Sequence, residues 1–128
     1  MLLIYECNRY NVLGKQNLKT LSKYYLVDLE FKKVSSIKNN ANIGYNIENI
    51  VYLELLRRGN IVNVGKVNDL EVDFVVKKEN EIEYYQVVTS LYDEKTKERE
   101  INSLKAIKDY YKKTILTLDD YVLGMLTE

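Results

Sequence analysis

Glu71-Val72-Asp73-Phe74-Val75-Val76 places a carboxylate where an alternating strand would ordinarily carry an apolar or uncharged side chain. The alternation sends Glu71, Asp73 and Val75 to one face and Val72, Phe74 and Val76 to the other. A turn centred on Glu79-Asn80 would set Asp73 opposite Gln86 on the next strand. A carboxylate and an amide oxygen at that separation are hard donors of the kind that Mg²⁺ or Mn²⁺ favours. A preceding helix adds acid. Counting about 100° per residue, Glu54 falls inside the stripe of Ile47, Ile50, Val51 and Arg58, and Glu48 lies on its shoulder beside Tyr52 and Leu55. A glutamate on a buried face needs a cation, a metal or a lysine, because burial penalises an unpaired charge. Each residue also has an ordinary reading. Asp73 pairs with Lys66 or Lys77, Glu48 is solvated, and Glu54 pairs with Arg57 or Arg58 at helical spacing.

The elements that must position these groups follow from periodicity. Ile43, Ile47, Ile50, Val51 and Leu55 predict a helix over 43–58, with Gly59 as its stop. Three β-rich runs, 61–66, 71–78 and 82–89, read as a meander with turns at Asn68-Asp69 and Glu79-Asn80. Ile101, Leu104, Ile107 and Tyr111 predict a second helix over 93–111, and Lys112 to Leu118 a last strand. The order from residue 43 is α-β-β-β-α-β. Upstream, Leu3 to Arg9 and Tyr24 to Asp28 read as short strands around a turn or short helix near Gly14 to Thr20. Ser35 to Asn42 is the nearest thing to a joint.

Composition removes several chemistries. The 128 residues include no His and one Cys, so His-based triads, His-ligated metals and intramolecular disulfides are excluded. A reducing cytoplasm fits, and no apolar run approaches a membrane span of about 18 residues. Net charge is zero, with basic residues in excess before residue 71 and acidic ones after it, which leaves room for a basic groove beside an acidic site. The 12 tyrosines, paired at Tyr24-Tyr25, Tyr84-Tyr85 and Tyr110-Tyr111, read as core-edge fillers in a Trp-free protein, and Cys7 as a small packed hydrophobe.

Gly44-x3-Glu48 on a helix, Glu71-Val72-Asp73 on a strand and Gln86-Val87-Val88 on the next resemble the PD-(D/E)XK restriction-endonuclease-like superfamily. The runs 24–28, 48–59, Val64-Gly65-Lys66, Val72-Asp73-Phe74-Val75 and Glu98-Arg99-Glu100 look like the C-terminal domain of unknown function behind many prokaryotic AAA-type ATPases. This resemblance implies an α/β fold: a restriction-endonuclease-like αβββαβ core over 43–128, with a mixed sheet flanked by helices. Residues 1–42 would be a short β-containing extension, the remnant of a linker to an ATPase. It implies Glu48, Asp73 and Gln86 as catalytic and metal-binding residues for Mg or Mn; Glu54 and Glu71, from their places on the helix stripe and the strand, are candidates for supporting acids. The motif lysine, however, is replaced by Val88, with Thr89 the nearest polar group; Arg99 and Lys105 on the second helix are the candidates for a migrated cation. The function implied is a nuclease-fold, nucleic-acid-associated module with a degenerate phosphodiesterase site. The alternative is a non-catalytic interaction or regulatory domain of a split or truncated ATPase, and behind both stands a plain scaffold. No phosphate-loop motif occurs, so no ATP site is expected.

Overall fold

The computed structural model describes residues 4–27 and 40–119. β1 (Ile4–Asn11) and β2 (Gln16–Leu26) form an antiparallel hairpin. Its turn carries Lys15 at φ 52° and a Gly14 N–H donated to Asn11 Oδ1. Residues 16–20, expected in a turn or short helix, instead extend β2, because Arg9, Tyr10 and Asn11 pair with Leu18, Asn17 and Gln16. Leu3, Asp28 and the Ser35-to-39 part of the expected joint lie outside the described residues.

α1 (Asn40–Arg57) ends as its sequence predicts. Gly59 takes φ 84°, while its N–H reaches the Leu56 carbonyl and that of Asn60 reaches Leu55, closing carbonyls that a helix end leaves open. β3 (Ile61–Val67), β4 (Leu70–Lys77) and β5 (Ile82–Val88) form the antiparallel meander. α2 (Glu94–Lys105) then carries the chain over to β6 (Lys112–Thr117), which runs parallel to β5. Asp93 caps α2 by accepting the Thr96 N–H. The helix stops at Lys105 rather than near residue 111, yet Ile107 remains buried beyond it.

Among the described residues the sheet order is β2-β1-β3-β4-β5-β6, with β1 parallel to β3. This is a mixed α/β sheet with a helix on each face. Cys7, Tyr25, Val62, Val64, Phe74 and Val76 pack with Tyr52 and Leu55 of α1. Tyr10, Val67, Val72, Val75 and Tyr84 pack with Leu104 and with Ile107 just after α2. Residues 4–27 therefore supply two strands of the same sheet and share its core. None of the described helices is long and apolar enough to cross a membrane.

Two further sequence expectations change. Strict alternation in β4 fails, because Asn63 pairs with Val75 but Gly65 pairs with Val72, leaving Asp73 and Phe74 together opposite Val64. This β-bulge puts Val72 with Val75 on the α2 side and leaves Phe74 and Val76 on the α1 side. Gly65 is needed there, since a Cβ would lie 2.8 Å from Val75 Cγ2 and 3.0 Å from Val72 Cβ. The second change is the roll of α1. Ile50 is 54% exposed, while Asn49, Tyr52 and Leu55 are buried.

Candidate functional site

The expected register between β4 and β5 holds: Phe74, Val75, Val76 and Lys77 pair with Tyr85, Tyr84, Glu83 and Ile82. At the next position side chains take over from the backbone ladder. The Asp73 N–H donates to Gln86 Oε1 at 2.7 Å, and the Val87 N–H donates to Asp73 Oδ2 at 2.7 Å. The bulge thus bends β4 away from β5 and aims a carboxylate into the opening, as bulges beside functional sites commonly do.

Around that opening the α1 side of the sheet gathers charge. Glu48 Oε2 accepts the Tyr25 hydroxyl at 2.5 Å, and Tyr25 is fixed by stacking on Tyr52 with ring centroids 4.3 Å apart. Lys23 Nζ lies 2.5 Å from Glu71 Oε1 and 3.7 Å from Glu48 Oε2. Arg9 reaches the other Glu71 oxygen at 3.1 Å. Asn49, beside Glu48, accepts the Leu26 N–H and donates to its carbonyl, so the end of β2 is clamped to α1.

The electrostatics are those of a crowded, half-dry carboxylate group. Burial, then the Glu48 charge, pushes the Asp73 carboxyl up to about 7, against the opposing pull of the Val87 N–H and Lys23. Burial raises Glu71, but hydrogen bonds and charge from Lys23 and Arg9 outweigh it and hold the carboxyl below its ordinary value. Lys23 shows the converse balance: burial lowers it, and Glu48, Glu71 and Asp73 together raise it. Glu100 of α2 is raised by burial and by Glu48 and Glu71, despite Arg99.

The structure therefore brings Glu48, Glu71 and Asp73 into one neighbourhood. Gln86 is placed differently from the expectation. Its side chain is 2% exposed, its oxygen takes the Asp73 N–H, and its amide nitrogen points to the Glu71 carbonyl at 3.4 Å. It seals the diverging strands instead of facing solvent. Glu54 has its ordinary role, on the outer side of α1 between Arg57 and Arg58, which hold its carboxyl at about 2. Of the two expected cations, Arg99 is 70% exposed and pairs with its neighbour Glu100, and Lys105 is exposed. Sequence reasoning missed Lys23, Arg9, Tyr25 and Asn49, which reach the site only through the pairing of the hairpin with the meander and the packing of β2 on α1. Cys7 is buried, with its thiol pushed up to about 12 first by burial, in line with a packing role.

Asp73 and Glu48 offer two carboxylates within each other's electrostatic reach. Mg²⁺ commonly uses one or two carboxylates and completes its shell with water and phosphate oxygens. No three acidic or thiol groups among the described residues converge to hold an ion by themselves. A cation here would depend on those outer ligands.

The sequence is 43% identical over 115 residues to an uncharacterized protein of Haemophilus influenzae, covering 90% of this chain and 28% of that protein. It is 37% identical over 130 residues to an uncharacterized protein of Methanocaldococcus jannaschii, covering 98% of this chain and 27% of that protein. The chain thus spans little more than a quarter of the length of these relatives. No family model matches the sequence. No solved structure matches it.

Proposed function

We propose that the chain is a restriction-endonuclease-like module that associates with nucleic acid and carries a metal-dependent phosphodiesterase site on Asp73 and Glu48. The observation that carries this reading is the Asp73 carboxylate, set by the bulge at the point where β4 leaves β5 and sharing its field with Glu48. The α-β-β-β-α-β order within a mixed sheet supports it. A bound Mg²⁺ or Mn²⁺ would polarise the phosphoryl group and acidify a water. The chain's own part is to hold Asp73 through the Val87 N–H, to hold Glu48 through Tyr25, and to keep Glu71 neutralised by Lys23 and Arg9.

The test is cleavage of end-labelled DNA and RNA with Mn²⁺ by the wild type, D73A and E48Q. Cutting that both substitutions abolish upholds the reading, and cutting indifferent to Asp73 removes it. A second reading, a non-catalytic regulatory domain within a longer ATPase-containing protein, is favoured by Val88 in the lysine position. Capture of an ATPase partner by a wild type that cuts nothing would select it.

A further inference from the structure

Lys23 is a half-buried ammonium within ion-pair reach of both Glu71 and Glu48. On β2 the alternation puts Lys23 and Tyr25 on the face that meets α1. The lysine side chain is 30% exposed and forms part of an open depression of about 540 Å³ lined by Ser22, Lys23, Tyr24, Tyr25 and Glu48. Its ammonium is within ion-pair distance of Glu71 and Glu48, and its field reaches Asp73.

We infer that Lys23 is the cation that contacts a phosphodiester oxygen at this site, in place of the lysine missing at Val88. The inference rests on the nuclease-like reading above. Three features carry it. The lysine side chain lines the depression and keeps 30% of its surface exposed, whereas a purely structural pair could be sealed. Glu71 has a second cation, Arg9 at 3.1 Å, so Lys23 can exchange Glu71 for a phosphate oxygen without leaving that carboxylate unneutralised. The flexible four-carbon stem of lysine lets a point charge move over such a distance at little cost in geometry. Arg99 and Lys105 lack this placement. The ligand class is a phosphodiester backbone, in DNA or RNA, read through its charge.

Binding and cutting are measured separately. Fluorescein-labelled duplex DNA, single-stranded DNA and RNA of one sequence are titrated by anisotropy without divalent metal, over a salt series, for the wild type, K23M, K23R and D73A. Cleavage of the same probes is then followed with Mn²⁺. The expected result is that K23M binds more weakly and its log-affinity against log-salt slope is shallower by about 0.7 to 0.9, the share of one phosphate contact. K23R keeps the slope. K23M cleavage falls about a hundred- to thousandfold, as for loss of one charge-stabilising donor. If D73A abolishes cutting but K23M matches the wild type in slope and rate, the nuclease-like reading stands and the assignment of Lys23 falls. If the wild type neither binds nor cuts any probe, both fall. Should K23M melt at low temperature, K23Q/E71Q removes the ion pair as a pair and is read in the same assays. A wild-type slope and rate in that variant overturn the assignment.

Discussion

Asp73→Asn should stabilise the fold at neutral and alkaline pH while abolishing metal-dependent chemistry. In the folded chain burial and the Glu48 charge move the Asp73 carboxyl from 3.8 to about 7. A carboxyl raised on folding binds its proton more tightly in the native state. Asp73 therefore contributes no penalty below about pH 4, an increasing penalty between about pH 4 and pH 7, and the full penalty above that. At about 1.4 kcal/mol per pH unit, the rise from 3.8 to about 7 makes the full penalty about 4 to 5 kcal/mol. Asparagine is isosteric and its oxygen can still accept the Val87 N–H, so the contact that bridges the strands survives. Glu71 titrates in the opposite sense, since its lowered carboxyl contributes stability that is lost as pH falls through its folded value. The difference between D73N and wild type cancels that contribution. The assay is urea unfolding of both proteins across the window. The two should be nearly equal below about pH 4 and separated by about 4 to 5 kcal/mol, with D73N the more stable, above about pH 8. An Asn variant less stable than wild type by the same amount at both ends would refute the assignment of Asp73 as a strained, half-dry carboxylate.

Other perturbations probe the scaffold. Asn49→Ala leaves the half-buried N–H and carbonyl of Leu26 without their side-chain partner and should cost about 1 to 3 kcal/mol in chemical denaturation; a cost under about 0.5 kcal/mol would show the clamp to be unimportant. Gly65→Ala must displace Val75 or Val72 at the bulge and should cost about 1 to 3 kcal/mol in the same experiment, whereas an unchanged midpoint would contradict the close approach. Glu54→Gln, on the solvent side of α1, should leave both cleavage and nucleic-acid affinity at wild-type values. A large loss of either would bring Glu54 back into the site.

Much of the framework was legible because it is local. Gly59 announces the helix stop, and the turn at 79–80 fixes the β4–β5 register, so Asp73 and Gln86 were correctly placed at adjoining positions. What depended on distant partners was not legible. The bulge at Asp73 and Phe74 exists only relative to β3, and an alternating pattern read along β4 alone gives no sign of it. Helical spacing allowed Ile50 to point inward, but the hydrogen bonds Asn49 makes to Leu26 belong to a rotation that turns Ile50 outward. Gln86 looked like a ligand because its position was right; its role is set by the Asp73 N–H, which only the diverging strands leave free. The site's cations come from β1 and β2, where the spacing from Lys23 to Glu71 carries no local signal.

Isothermal titration with Mn²⁺ of the wild type, D73N and E48Q tests the metal site most directly. Saturable binding at one site in the wild type, absent from D73N and weakened in E48Q, is the predicted result. No heat from the wild type, or equal binding by all three proteins, would contradict a divalent-cation site on Asp73 and Glu48.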